Sequence, residues 1–324
     1  MLQKTPIYQV RRSKSTPKKA KLPYLEALRP RQWTKNAIVF AAPLFAFSLD
    51  WQSLKGSLLA FVLFCAAASS FYLFNDIIDV KADRLHPVKR YRPIAAGQVK
   101  LSVARLMAVT LLLGALIVGT MRSPLLGLVL VAYALLQVAY NLKLKHTPIL
   151  DILAIATGFV LRACGGGIAT NIHLSVWFLF CTAMLALFLA VEKRKAELRL
   201  LQVNGGKTRA VLKRYSLTLL GRMENTVTTG TLMSYALWSS GPIVDGASTP
   251  WMMLTFPFVL YGVFRYQMLS EPHLKVIESP FDLPEPTERP EEVLLTELPM
   301  LLTVVGWAIS VFGILWLQHW GVIQ

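Results

Sequence analysis

An apolar run ends in a group of oxygen-bearing side chains in the stretch NDIIDVKAD, residues 75–83. On a helix with 100° per residue, Asn75, Asp76, Asp79 and Asp83 can share one face. Carboxylates at the end of an apolar helix are costly unless they meet water, a cation or a partner. An all-oxygen set with an amide suits Mg²⁺, which completes its octahedron with water and phosphate oxygens. We therefore expect all four residues to bind Mg²⁺ and the three aspartates to be catalytic.

The basic segment HPVKRYRP follows these acids without an intervening helical stretch. A diphosphate is well held when Mg²⁺ bridges some of its oxygens and arginine forks hold the others. Lys89, Arg90 and Arg92 are therefore candidates for binding an anionic substrate beside the metal. The alternative is that the aspartates simply pair with the neighbouring lysine and arginine side chains at the water interface.

A second charged segment, AVEKRKAELRL, closes a later apolar run. It contributes Lys193, Arg194 and Glu197 as candidate substrate-binding residues. Arg194 and Glu197 are three residues apart and Lys193 and Glu197 four apart, so a helical ion-pair ladder explains the same residues equally well. Both interpretations stay open at this point.

A third segment, YNLKLKHTPILDILAIATGFVLRACGGG, joins polar and apolar features. Tyr140 and Lys143 precede its apolar run and are candidates for substrate binding. Arg162 lies deep within the run, so we expect it to face the interior of a helical bundle, where it could also meet substrate. The glycines at residues 165–167 indicate close helix packing rather than a phosphate loop, because no strand precedes them.

The N-terminal motif RPRQWTKN adds Arg29, Arg31 and Lys35, and Lys35 is counted among the candidate substrate-binding residues. Trp33 in this motif is expected to anchor the chain at a membrane interface. No histidine or cysteine has the spacing of a zinc site, and the three cysteines lie in apolar runs without a CxxC pair.

The elements that must position these residues are membrane helices. The chain of 324 residues is 54% hydrophobic and only 16% charged, with a mean hydropathy of +0.49, which is unusual for a soluble domain. The net charge of +16 does not indicate nucleic-acid binding, because basic and aromatic residues are not interleaved on a polar surface. Membrane topology and a phosphorylated substrate explain the charge better.

Nine apolar windows are long enough to span a bilayer. They cover residues 36–52, 56–79, 101–121, 124–141, 149–170, 173–191, 222–241, 250–269 and 299–319. The first and seventh are the weakest, because Pro43 interrupts one and Arg222 and Glu224 open the other. The sequence predicts an all-α polytopic membrane protein with nine transmembrane helices around a cytoplasm-facing cavity.

Lysine and arginine alternate between the predicted loops and indicate the orientation. Residues 1–26 form a basic tail that we expect to be flexible and cytoplasmic, and residues 27–324 form one helical domain with an acidic cytoplasmic loop at 270–298. This arrangement places the N-terminus and all candidate site residues on the cytoplasmic side of the cytoplasmic membrane, with the C-terminus outside. The charged segments can therefore converge on one site.

NDIIDVKAD resembles the first aspartate-rich motif of the UbiA superfamily of membrane prenyltransferases, and residues 27 to 319 fit that family's layout. The resemblance implies nine helices, a central cavity and Mg²⁺ bound to a diphosphate by Asn75, Asp76, Asp79 and Asp83. Aromatic prenyltransferases of the superfamily carry a second aspartate-rich motif where this chain has EKRKAEL. With RPRQWTKN and HPVKRYRPIAAG, this basic replacement is similar to the decaprenyl-phosphate phosphoribosyltransferase branch.

That branch implies transfer of 5-phosphoribose from 5-phosphoribosyl 1-diphosphate to a polyprenyl phosphate, with Mg²⁺ and release of pyrophosphate. The basic residues at 193–195 would then meet the second phosphate of the donor. An aromatic prenyltransferase with a polyprenyl diphosphate donor is the alternative enzyme. A lipid-binding or transport protein without catalytic activity is the alternative from another class.

Overall fold

The structure is a computed structural model that describes residues 22–86, 88–204, 210–271 and 297–323. Within these ranges the chain is helical and contains no β-strand, which confirms the all-α prediction. Most of the predicted basic tail at 1–26 and most of the predicted acidic loop at 270–298 lie outside the described residues.

Eleven α-helices are present in the described part of the chain. They are α1 (Pro23–Ala27), α2 (Ala41–Phe45), α3 (Trp51–Ile78), α4 (Val80–Leu85), α5 (Leu101–Arg122), α6 (Pro124–Leu142), α7 (Leu150–Thr170), α8 (Val176–Asn204), α9 (Leu217–Ser239), α10 (Phe256–Ser270) and α11 (Leu298–His319). Short 3₁₀ segments at Lys89–Tyr91, Leu144–His146, Ala210–Arg214, Pro242–Val244 and Pro250–Thr255 connect them, and a longer one at Pro30–Phe40 precedes α2.

Six helices in the described ranges are long and apolar enough to cross a membrane: α3, α5, α6, α7, α11 and the part of α8 up to Arg199. The chain is therefore an integral membrane protein. The other three predicted windows also fall on helical residues, but these helices are shorter, interrupted or less apolar. The predicted number of nine spanning helices is thus not confirmed.

The first predicted span, residues 36–52, differs most from expectation. A 3₁₀ helix runs from Pro30 to Phe40, α2 follows for one turn, and the chain leaves the helix at Phe47, whose φ is 49°. Pro43 lies in the first turn of α2, where its missing N–H costs no hydrogen bond. Asp50 then caps α3 by accepting hydrogen bonds from the backbone N–H groups of Gln52 and Ser53.

Helices α3 and α7 lie at the centre of the bundle. In their most apolar windows 61% and 56% of residues are buried, against 17% and 22% for α5 and α6, which therefore face lipid. Glycines permit this close packing: a Cβ on Gly166 would lie 2.2 Å from the carbonyl oxygen of Val39, and one on Gly165 would lie 2.4 Å from the ring of Phe64. The glycine run predicted to pack helices does so.

The two ends of the bundle carry different residues. A Cβ on Gly56, near the start of α3, would lie 2.5 Å from the carbonyl oxygen of Ala169, near the end of α7, so these helices are antiparallel. The end of α3 and the start of α7 consequently lie at the same end of the bundle. Arg194 and Arg199, near the C-terminal end of α8, contact Asp151 at the start of α7 and Glu271 directly after α10. The C-terminal ends of α8 and α10 therefore lie at this end too. We call this the site end.

Candidate active site

A cavity of about 760 Å³ opens at the site end between the N-terminal segment (residues 22–45), α3 and the loop after α4. Its polar lining residues belong to the N-terminal segment, to α3 and to the loop after α4. The polar and aromatic lining residues are Glu26, Arg29, Arg31, Gln32, Asp76, Tyr91 and Arg92. The arginines outnumber the acids, so the cavity suits an anionic ligand.

Two of the predicted metal ligands are buried beside this cavity. Asp76 is 4% exposed and Asp83 is 3% exposed. Nη1 of Arg92 donates to Oδ1 of Asp76 at 3.1 Å and to Oδ2 of Asp83 at 2.7 Å. One guanidinium nitrogen therefore holds both carboxylates, and this ion pairing offsets their burial.

Arg29 completes this group from the other side. Its Nη2 donates to the same oxygen of Asp76 at 2.5 Å, and its guanidinium lies 5.0 Å from the centre of the Tyr72 ring. The backbone of Arg29 is left-handed, with φ 56° and ψ 60°, immediately before Pro30. Such a conformation is unfavourable for a residue with a Cβ and is concentrated at functional sites.

The carboxylates of Asp76 and Asp83 fit a divalent cation, because a single positively charged nitrogen already contacts an oxygen of each. Asn75 is half-buried next to them. The four-residue set predicted from the sequence is not assembled: α3 ends at Ile78, and Asp79 is exposed in the break before α4. In the described ranges no group of three His, Cys, Asp or Glu side chains converges as a ligand set.

The predicted basic residues near the cavity have different environments. Lys89 and Arg90 are exposed, and Nη2 of Arg90 donates to the hydroxyl of the neighbouring Tyr91 at 2.5 Å. Lys35 is half-buried and donates to Oε1 of Gln32 at 2.6 Å. Trp33 donates its indole N–H to Oγ of Ser69 at 3.0 Å, so it contacts α3 instead of serving only as an interfacial anchor.

The second charged segment forms a buried ion-pair network between α7 and α8. Arg194, which is 1% exposed, donates through Nε to Oδ2 of Asp151 at 2.8 Å and through Nη1 to Oε2 of Glu197 at 2.5 Å. The hydroxyl of Tyr215 donates to the other oxygen of Asp151 at 2.7 Å. Burial, together with the Asp151 carboxylate, raises the pKa of Tyr215. Tyr140, in the last turn of α6, is half-buried.

Lys195, on the same helix, forms a separate group of ion pairs. It contacts Glu192 at 3.2 Å and Glu224 at shorter range, and all three side chains are buried. The positive charges of Arg194 and Lys195 are therefore matched by carboxylates of the protein. Of these pairs, Arg194–Glu197 belongs to the helical ion-pair ladder that the sequence suggested. Arg194 and Glu197 are each other's partners, and their role in substrate binding stays a prediction. Lys193 and Lys143 lie at the same end, half-buried and exposed respectively.

Arg162 faces the bundle interior, as predicted, and its role in substrate binding stays a prediction. Its three guanidinium nitrogens donate to Oδ1 of Asn36, the carbonyl of Gly158 and the hydroxyl of Tyr133, at 2.6, 2.7 and 2.8 Å. Its guanidinium also lies 4.7 Å from the centre of the Tyr133 ring. These contacts satisfy the side chain and make it a brace between α7, α6 and the N-terminal segment.

An apolar cavity of about 310 Å³ lies deeper in the bundle. It is enclosed by α8, α9, α10, α11 and the N-terminal segment, with Phe45, Phe178, Trp238, Tyr266 and Trp307 among its lining residues. Such a cavity accepts hydrocarbon and excludes charge.

Sequence reasoning missed several residues of these groups. Glu224 was noted only as a charge at the start of a weak span, and Tyr215 carried no signal, because a lone tyrosine in a loop is unremarkable. Arg29 was named in its motif but not selected as a site residue. Its position directly before a proline, with two more basic residues following, was the available signal.

The bundle has the fold of UbiA-type membrane proteins. A UbiA homologue from Archaeoglobus fulgidus, solved with DMAPP and Mg²⁺, superposes with a TM-score of 0.62 over 90% of this chain and 98% of that one, at 17% identity. The sequence profile described as the UbiA prenyltransferase family matches residues 36–281. The chain belongs to the UbiA prenyltransferase family, which confirms the resemblance.

Relatives that are 36–42% identical to this chain are named decaprenyl-phosphate phosphoribosyltransferase. The one from Mycobacterium tuberculosis strain H37Rv is 36% identical over 293 residues, which cover 89% of this chain and 92% of that protein. The one from Corynebacterium glutamicum is 42% identical over 253 residues, covering 75% of each chain. This chain is therefore similar to these enzymes along most of its length.

Proposed function

We propose that this chain transfers 5-phosphoribose from 5-phosphoribosyl 1-diphosphate to a polyprenyl phosphate and releases pyrophosphate. The observation that carries the proposal is the cavity in which Arg29 and Arg92 meet the buried carboxylates of Asp76 and Asp83. This arrangement suits a diphosphate with its metal, and the names of the relatives supply the donor and the acceptor.

Asp76 and Asp83, with Asn75 beside them, would hold Mg²⁺. When bound, the metal would neutralise charge on the diphosphate and so make pyrophosphate a better leaving group. Arg92 and Arg29 already contact these carboxylates, so they are placed to donate to phosphate oxygens of the same ligand. Arg31 also lines the cavity and adds a third guanidinium there.

The acceptor needs no general base, because a phosphate monoester is already ionised at neutral pH. The protein's task is to align the two anions and to neutralise their charge. Attack of the lipid phosphate oxygen on the anomeric carbon, opposite to the departing pyrophosphate, would invert that carbon. Further candidates for holding the two phosphorylated substrates lie around the same end of the bundle. They are Lys35, Lys89, Arg90, Tyr140, Lys143 and Lys193.

The acceptor's hydrocarbon chain requires an apolar path. The 310 Å³ cavity lined by aromatic side chains of α8, α9 and α11 is suited to isoprene units of that chain. The positively charged N-terminal segment and loops favour an orientation with the site end in the cytoplasm and the C-terminus outside. The membrane would then be the cytoplasmic membrane.

The test is transfer of label from 5-phosphoribosyl 1-diphosphate to polyprenyl phosphates of several chain lengths, in membranes that contain the protein. We expect a labelled lipid with the wild type and a loss of about 100-fold with Asp76→Asn, because the amide cannot replace the charge. Asp245→Asn is the matched control, since this aspartate is exposed and Asn accepts its left-handed backbone. No transfer at any chain length, or transfer of a labelled prenyl group to an aromatic acceptor, would contradict the proposal.

A further inference from the structure

Tyr215 joins three elements through its hydroxyl group. The oxygen accepts a hydrogen bond from the backbone N–H of Ile149 at 2.6 Å and donates to Oδ1 of Asp151 at 2.7 Å. Oδ2 of Asp151 in turn accepts from Nε of Arg194 on α8. The 3₁₀ segment before Tyr215, α7 and α8 are thus linked through one phenolic oxygen.

Ile149 is held in a strained conformation at the point where Tyr215 binds it. Its φ is 70° and its ψ is −47°, which is close to the rare γ-turn conformation and is unfavourable for a β-branched residue. Its side chain is half exposed, so packing does not enforce the conformation. The backbone N–H of Ile149 donates to the hydroxyl of Tyr215, and this hydrogen bond joins Ile149 to a distant segment of the chain.

The strained residue closes the connection between α6 and α7. This connection begins at Lys143, forms a 3₁₀ turn at Leu144–His146 and ends at Ile149, the residue before α7. Tyr140, in the last turn of α6, and Lys143, at the start of the connection, are candidates for phosphate binding. Because the connection is short and joins the last turn of α6 to the start of α7, its conformation helps to set where Lys143 and the last turn of α6, which carries Tyr140, lie.

We propose that Tyr215 is a positioning residue: its hydroxyl group clamps the α6–α7 connection onto α8 and thereby places Tyr140 and Lys143 for a phosphorylated substrate. The identity of that substrate rests on the function proposed above. Tyr215 is 6% exposed and packs among Ile152, Val211 and Leu212, so its ring is fixed and its oxygen meets only protein.

The substitution Tyr215→Phe tests the clamp, because it keeps the packed ring and removes both hydrogen bonds. We expect the KM for 5-phosphoribosyl 1-diphosphate or polyprenyl phosphate to rise about tenfold while kcat changes less. The reason is that the substrate is placed less well, whereas the site of Asp76 and Asp83 is unchanged. Tyr261→Phe is the matched control, because Tyr261 is half exposed on α10 and should leave both constants unchanged.

A second substitution separates positioning from direct contact. Glycine adopts positive φ without strain. Adding Ile149→Gly to Tyr215→Phe should therefore return KM most of the way to its wild-type value. A raised KM that Ile149→Gly does not restore would show that Tyr215 acts on the substrate itself and would overturn the proposal. An unchanged KM in Tyr215→Phe would overturn it as well.

Amide hydrogen exchange of the substrate-free protein provides a readout that does not depend on the reaction. The segment 144–151 should exchange faster in Tyr215→Phe than in the wild type, because the Ile149 amide loses its acceptor. If the wild type transfers no phosphoribose, the proposed function fails but the exchange experiment still tests the clamp. If the wild type is active and exchange is the same in both proteins, the clamp alone is wrong.

Discussion

Arg92 and the two carboxylates that it bridges depend on one another. If Arg92 is replaced by Ala, Asp76 and Asp83 remain buried without their shared cation. We expect the free energy of unfolding to fall by about 2 kcal/mol, less than for a fully buried pair because the Arg92 side chain is 30% exposed. Denaturant titration in detergent micelles measures this loss.

Arg105→Ala is the control for that measurement. Arg105 is exposed on α5, so its removal should change the free energy of unfolding by no more than about 0.5 kcal/mol. Equal effects of the two substitutions would mean that the bridge contributes no stability. Excess Mg²⁺ should return part of the loss in Arg92→Ala, because a second cation can then hold the carboxylates.

Sequence reasoning found the acids of this site but not their geometry. Residue types and helical spacing singled out Asp76 and Asp83, because carboxylates at the end of an apolar helix are conspicuous. The break after Ile78 turned Asp79 outward, and spacing on an ideal helix carries no information about where a helix ends. The spacing on α8 indicates the Arg194–Glu197 pair. Asp151 and Glu224 lie on α7 and α9, so no local pattern could identify them as further partners of Arg194 and Lys195.

At the level of elements, the contact between α7 and the N-terminal segment depends on a glycine. A Cβ at Gly166 would lie 2.2 Å from a carbonyl oxygen and 2.8 Å from two other backbone atoms of Val39, and a backbone cannot move aside as a flexible side chain can. Gly166→Ala should therefore lower the free energy of unfolding by about 1–3 kcal/mol.

The matched control is Gly114→Ala on α5, where an added Cβ meets no atom within 4 Å. Because alanine is the better helix former, this substitution should be neutral or stabilise the protein by up to about 1 kcal/mol. Thermal unfolding of both variants in detergent compares them. A similar melting temperature for the two variants would show that the N-terminal segment is not packed against α7 as closely as described.

The elements themselves were largely predictable, because apolar windows of spanning length are strong signals. Helices α5, α6, α7 and α11 begin and end within a few residues of the predicted bounds. The segment at 36–52 was not predictable in its form, since Pro30–Phe40 is a 3₁₀ helix and hydropathy does not distinguish one helical geometry from another. The close packing of Val39 against Gly166 is a tertiary feature of this region.

For the whole molecule, activity should depend on a divalent cation. Removal of free metal with a chelator should abolish phosphoribosyl transfer in membranes, and Mg²⁺ should restore it, because Asp76 and Asp83 otherwise present negative charge to a negatively charged donor. The control is binding of the lipid acceptor to chelated protein, which should persist since its hydrocarbon chain needs no metal. Undiminished transfer in chelator would contradict the metal site.

The geometry of Pro30–Phe40 also has a mechanical consequence. A 3₁₀ helix rises about 2.0 Å per residue and an α-helix about 1.5 Å, so these eleven residues extend about 22 Å where an α-helix would extend about 16 Å. Arg29 stands at the tip of this stretched segment, in contact with Asp76. Rewinding the segment as an α-helix would withdraw that guanidinium by about 6 Å. The Pro30–Phe40 segment thus acts as a spacer whose rise per residue sets how far Arg29 reaches.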